Sequence, residues 1–156
     1  VANSRKKQIK ARQLSAGGTM KIAEHFTVKE LTNTSYADLL AENILFAIDH
    51  FNELTRLAQF CERVRTIIGV PMNITSGVRY PKLNQRVGGV ANSDHCKLLA
   101  VDFIPERIKL KTAFDKIRNS GLHYKQLILE NNQWIHISIG DKGENLIYDK
   151  GKYKRI

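Results

Sequence analysis

The chain has 156 residues, 42% of them hydrophobic, and a formal net charge of +10. That length suits one domain with a sizeable core, and no apolar run is long enough to span a bilayer. Two cysteines, Cys61 and Cys96, supply no disulfide framework and fit synthesis in a reducing cytoplasm.

The positive charge is unevenly placed. Residues 1–19 carry Arg5, Lys6, Lys7, Lys10 and Arg12 and no acid. They read as a basic, disordered extension attached ahead of Met20. No apolar stretch follows these charges, so the segment does not read as a secretory signal. Residues 141–156 are also net basic and read as a second tail. The intervening segment, 20–140, is close to charge balance. Basic tails favour polyanions such as nucleic acid, anionic lipid or wall polymer. The balanced core argues against a specific nucleic-acid-binding protein.

In chain order, Thr27-Val28-Lys29-Glu30 predicts a capping box before a short helix, and Asn33-Thr34-Ser35 a loop after it. Residues 41–68 carry one helical period. Ile44, Ala47, Ile48, Phe51, Leu54, Leu57, Ala58, Cys61, Val64 and Ile68 recur three or four apart. Gly69 and Pro71 end that helix, and Cys61 on its stripe reads as a buried structural thiol.

Residues 72–76 read as a short strand, 77–81 and 86–89 as loops, 98–104 as a buried strand and 110–117 as a helix. Residues 125–130 and 134–139 read as a hairpin. This order predicts an α+β fold, a small antiparallel sheet packed against one long helix.

Three residues stand out chemically. His95, Asp102 and His136 can form the three-ligand set of an open catalytic zinc site, with a fourth position left for water or substrate. On a strand, Ile135, Ile137 and Ile139 face one way and Trp134, His136 and Ser138 the other, toward a cleft. His95 and Asp102 are seven positions apart, roughly 23 Å if extended and on opposite faces of a strand. Shared ligation therefore requires the chain to turn back between them. His25, His50 and His123 read as ordinary surface or partly buried histidines. Cys96 adjoins His95, and adjacent side chains rarely converge on one ion.

Taken in order, several short stretches resemble the zinc D-Ala-D-Ala carboxypeptidase family, which includes L-alanyl-D-glutamate endopeptidases and phage endolysins. They are His25-Phe26-Thr27-Val28-Lys29-Glu30-Leu31, Ile74-Thr75-Ser76-Gly77-Val78-Arg79, Leu83-Asn84, Val87-Gly88-Gly89, Ser93-Asp94-His95, Ala100-Val101-Asp102, Gln126-Leu127-Ile128 and Trp134-Ile135-His136-Ile137-Ser138. The likeness spans about residues 24–139. It implies the fold shared with hedgehog signalling domains, zinc as cofactor, peptidoglycan as partner and cleavage of peptide bonds in its stem peptides. It makes His95, Asp102 and His136 the zinc ligands. Arg79 would hold a substrate carboxylate or the oxyanion, a task suited to a forked, permanently charged guanidinium. Ser93, Trp134 and Ser138 would join it in binding substrate. The enzyme would be made in the cytoplasm without a signal peptide and act on the cell wall, in phage lysis or from a virion.

Two positions depart from the resemblance. Many members place an acid three residues before the last histidine, where this chain has Gln133. Glu130, six before it, is the alternative base. A three-residue loop, 131–133, pairs Glu130 with Trp134 on the His136 face; a two-residue loop, Asn131-Asn132, turns it away. Turn chemistry leaves both open, and only the longer loop supplies a base within reach. The family usually has glycine where this chain has Leu98, inside the turn that must join His95 to Asp102; leucine reaches positive φ only at a cost. These departures motivate a rival, a non-catalytic zinc-binding or structural module of the same fold.

Overall fold

The computed structural model describes residues 2–15 and 20–156. Among these residues, six α-helices, α1 (Ala2–Ser15), α2 (Val28–Leu31), α3 (Leu40–Asp49), α4 (Phe51–Ile68), α5 (Pro81–Arg86) and α6 (Leu110–Arg118), combine with six strands. The strands are β1 (Met72–Ser76), β2 (Ala100–Pro105), β3 (Gln126–Glu130), β4 (Trp134–Ser138), β5 (Glu144–Asp149) and β6 (Lys152–Arg155). They form one sheet in the order β1-β2-β4-β3-β5-β6. Every neighbouring pair is antiparallel except β3 and β5. The fold is α+β, as the alternation of patterns predicts.

One face of the sheet is covered. Val101, Phe103, Leu127, Leu129, Ile135 and Ile137 alternate along β2, β3 and β4 and join one buried cluster with α4 and α6. The opposite face carries Asp102, His136, Ile128 and Glu130, which register pairing sets side by side. Sheet alternation therefore separates core from site.

The predicted capping box is present. The Thr27 hydroxyl accepts from the Glu30 amide while the Glu30 carboxylate accepts from the Thr27 amide. The single helix expected over 41–68 is instead two. At His50 (φ −115°, ψ 48°) the backbone leaves the helical region, and the imidazole Nδ1 sits 2.8 Å from the Phe46 carbonyl. The apolar period runs through the break, which is why periodicity alone reads as continuous. Phe51, just past the break, is exposed, while Leu54, Leu57, Cys61, Val64 and Ile68 are buried as expected. Gly69 closes α4 at φ 76°, the left-handed cap that glycine adopts without steric cost.

Both expected tails need correction. Residues 2–15 form a helix lying along α3, with Ala11 fully buried in the core and Lys7 ion-paired to Asp49. Good helix formers (Ala, Lys, Arg, Gln) and one small residue at the contact make this packing available. The remainder of that expected extension, Val1 and 16–19, lies outside the described residues. Residues 141–156 supply β5 and β6. Lys150 and Gly151 both take positive φ, the twist of a two-residue hairpin turn, and the Leu146-Ile147-Tyr148 run adds β-forming residues. The sequence pattern does not predict helix α5; Pro81 at its first turn, where no amide donor is needed, allows it.

Candidate metal centre

The site is assembled from β1, β2, β4 and two tight connections. The register slips between Ile74 and Ser76 of β1, opposite Asp102 and Phe103 of β2. Such an irregularity re-aims side chains, and here Ser76 receives a hydrogen bond from Arg79 Nε at 2.9 Å. The next residue, Gly77, lies against α2. A Cβ there would stand 2.3 Å from the Leu31 carbonyl oxygen, so only glycine fits. Val78 donates its amide to that same oxygen at 2.7 Å. Asn43, buried in α3, binds the Val78 carbonyl at 2.8 Å and accepts from the Tyr80 amide at 2.9 Å. Those contacts fix the Ser-Gly-Val-Arg segment. Asn43 sits on a helix face that carries no motif, so nothing in the sequence marks it.

The second connection performs the reversal that ligand sharing demands. The Ser93 hydroxyl caps a 3-10 turn over Asp94–Lys97 by accepting from the His95 amide. Leu98 then takes φ 55°, ψ 38°, the Leu99 amide returns to the Asp94 carbonyl at 2.9 Å, and β2 begins at Ala100. Leu98 therefore adopts the left-handed conformation expected of glycine. That costs about 1–2 kcal/mol, and its side chain, 1% exposed within the core cluster, recovers a comparable amount by burial.

The result brings His95, Asp102 and His136 together, with one ligand atom from each lying within 4.8 Å of the others. His95 Nε2 is 3.3 Å from Asp102 Oδ1, and His136 Nδ1 is 2.8 Å from the same oxygen. Four-coordinate zinc with bonds near 2.1 Å has ligand atoms roughly 3.4 Å apart; the His95–Asp102 pair matches that spacing, while the His136–Asp102 pair sits at hydrogen-bond distance and would open slightly around an ion. The donor chemistry suits it as well. His95 Nδ1 lies 2.7 Å from the Gly77 carbonyl. That contact needs a proton on Nδ1 and leaves Nε2 as a lone-pair donor, the outer arrangement usual for a metal-binding imidazole. Arg79 Nη2 holds the other Asp102 oxygen at 3.2 Å. Burial pushes the Asp102 carboxyl up, but the neighbouring imidazoles of His95 and His136 outweigh it and hold the group well below the usual carboxylate range. Cys96 contributes nothing to this cluster.

Glu130 pairs with Trp134 across the hairpin, so the loop is the three-residue one. Asn131 and Asn132 both take positive φ, which asparagine tolerates better than most residues, and the Gln133 amide returns to the Glu130 carbonyl at 2.8 Å. Glu130 and His136 line one cleft of about 240 Å³, together with Ser93, Asp94, Lys125 and Tyr153. Among the described residues the Glu130 carboxylate makes no hydrogen bond or ion pair. Burial raises its pKa; His136 opposes this and the Asp102 charge adds to it. Lys125 closes the same cleft with a two-oxygen contact to Asp94 at 2.7 and 2.9 Å. Arg79 lines a second cleft of about 260 Å³ with Asn33, Thr34, Ser35 and Thr75.

The other expected residues are distributed as follows. Trp134 is half-buried on the His136 face. Ser138 shares that face but is fully buried, its hydroxyl without a partner among the described residues, so it lies beneath the clefts rather than on their walls. His25 is bound to Glu62, His50 to the Phe46 carbonyl, and His123 is exposed beside Asp141.

The family model described as Peptidase M15 matches residues 24–138, a span that holds all three clustered residues, Arg79 and Glu130. A comparison with curated proteins finds no match.

Proposed function

The chain belongs to the peptidase M15 family, and from that premise we propose that it is a zinc metallopeptidase hydrolysing peptide bonds in peptidoglycan stem peptides. The reading covers a carboxypeptidase or an endopeptidase of the endolysin type. The convergence of His95, Asp102 and His136 within the family-matched span is the observation that carries it.

His95 Nε2, an Asp102 oxygen and His136 Nδ1 would hold the zinc. When bound, the ion supplies Lewis-acid polarisation of the scissile carbonyl and acidifies a water molecule. The remaining work falls to the chain's own groups. Glu130, on the His136 face and unengaged, accepts a proton on a carboxylate oxygen and returns it to the leaving amine. Its partial burial favours this, because a carboxyl of raised pKa is a better proton acceptor once ionised. Arg79 orients Asp102 through Nη2 and adds positive charge beside the metal cluster, where a substrate carboxylate or developing oxyanion would be stabilised. Ser93 bounds the cleft; Trp134 stands outside its lining on the same sheet face, and Ser138 is buried.

No helix among the described residues is long and apolar enough to cross a membrane. Action on the cell wall, as in phage lysis or from a virion, is the setting this substrate implies. The basic face of α1 would favour an anionic wall polymer.

The test is incubation of zinc-loaded protein with defined stem peptides, followed by mass spectrometry of the products. One new pair of peptides, lost on chelation and restored by zinc, is expected. Bound zinc with no hydrolysis would select the non-catalytic module instead.

A further inference from the structure

Register pairing carries one face of the sheet from the metal cluster to the last strand. Asp102 pairs with His136, His136 with Ile128, Ile128 with Leu146, and Leu146 with Arg155. Strands lie ~4.8 Å apart, so three steps take this row roughly 14 Å from His136 to β6. The adjacent row runs Trp134, Glu130, Tyr148 and Tyr153. The Tyr148 and Tyr153 rings are 4.6 Å apart at 45°. Strands β5 and β6 lie beyond residue 138, where the family match ends.

These strands complete a third cleft, of about 420 Å³, which shares Gln126, Ile128 and Tyr153 with the cleft holding His136 and Glu130. Its floor is apolar, from Ile128 and Leu146, 4% and 7% exposed. Its wall is the Tyr153 ring, 62% exposed. Its rim is a set of planar polar groups already held in place. Gln126 Nε2 donates to Glu144 Oε2 at 2.9 Å, and Arg155 Nη2 donates to Glu144 Oε1 at 3.1 Å. Lys142 also contacts Glu144 at 3.2 Å, so the carboxylate is neutralised locally and does not ask for a cationic ligand.

An apolar floor, one exposed aromatic ring and a rim of planar donors and acceptors match the two-sided chemistry of a pyranose. Such a ring has a C–H face that packs on an aromatic and a hydroxyl rim that takes paired hydrogen bonds. We propose that the cleft between β3, β5 and β6 is a sugar-ring subsite. It holds the glycan unit of a peptidoglycan fragment while the attached stem peptide reaches the metal cluster. The floor residues Ile128 and Leu146 lie one and two strands from His136, roughly 5–10 Å, a span that two or three extended residues at ~3.3 Å each would cover. The assignment of the sugar to peptidoglycan rests on the proposed substrate; the subsite's geometry does not.

Two measurements separate those claims. The isotope-labelled full chain is titrated with the peptidoglycan disaccharide, free of peptide, and followed by NMR. Amide shifts centred on Leu146, Tyr153 and Arg155 are expected; Tyr153→Ala should abolish them and Tyr153→Phe, which keeps the ring, should retain them. No shifts at saturating disaccharide, or shifts indifferent to Tyr153→Ala, would overturn the subsite. In the second, kcat/KM is compared for one stem peptide with and without the disaccharide. The wild type should prefer the glycosylated form, and Tyr153→Ala should cut that preference about tenfold, ~1.4 kcal/mol, through KM. An equal loss on both substrates would contradict the proposal. Disaccharide binding with cleavage of neither substrate would support the subsite and count against the peptidase reading.

Discussion

His95 Nδ1 lies 2.7 Å from the carbonyl oxygen of Gly77, and this contact joins the two connections that build the His95–Asp102–His136 cluster. The Arg79 amide returns to the His95 carbonyl at 3.2 Å, so each connection holds the other. One side of Gly77 is pressed against Leu31; the other orients the His95 imidazole.

Gly77→Ala is therefore expected to damage both stability and metal binding. Its Cβ would meet backbone, not a mobile side chain, and overpacking of this kind costs about 1–3 kcal/mol. Displacing an outer partner of a ligand histidine lowers metal affinity about 10–100-fold. Thermal denaturation and a zinc titration of the variant check the two effects separately.

Glu130→Gln should bind zinc like the wild type and lose turnover by about 10²–10⁴-fold. The amide keeps the side chain's shape but exchanges no proton at neutral pH. Steady-state rates on a stem peptide, with metal content measured on the same sample, give the answer. Undiminished turnover would move the search to another base.

Leu98→Gly replaces a strained leucine with the residue that its backbone conformation favours. The gain of about 1–2 kcal/mol in backbone strain is smaller than the roughly 2–5 kcal/mol lost on emptying a buried leucine site. Denaturant unfolding should show net destabilisation, while zinc binding persists because the turn geometry is kept. A more stable variant would mean that the Leu98 side chain contributes little packing.

Glu62 links α4 to the segment before α2. Burial pushes its pKa up, but the His25 amide at 2.6 Å and the His25 ring at 2.9 Å outweigh that and lower it. An acid whose folded pKa is depressed stabilises the fold above its unfolded pKa of about 4.3. That contribution disappears as pH falls through the lower folded value. Glu62→Gln should accordingly reduce the melting temperature at pH 7 and have little effect once wild-type Glu62 is itself protonated. A pH series of melting curves for both proteins tests the sign.

Much of this centre could be read in the chain, because it rests on local signals. The capping box at Thr27 and Glu30, the Gly69 cap, the alternation around His136 and the forced reversal between His95 and Asp102 each depend on a few neighbouring residues. Features set by distant partners were less legible. The helix break at His50 leaves the apolar period intact. Asn43 acts through the loop at Val78 and Tyr80, far away in sequence. Ser138 alternates correctly, but its burial depends on what covers it. The lysines of β6 and of the segments flanking β5, Lys142, Lys150, Lys152 and Lys154, give residues 141–156 the pattern of a charged tail and mask the Lys150-Gly151 turn. At Leu98, propensity argued against positive φ, and tertiary burial prevailed.

The most direct test is the zinc content of protein purified without chelators or a metal-affinity step, measured by elemental mass spectrometry beside His136→Ala. About one zinc per wild-type chain, with most of it lost in the variant, is the predicted result. A folded wild-type protein that takes up no zinc, or a variant that retains it fully, would contradict the His95–Asp102–His136 centre.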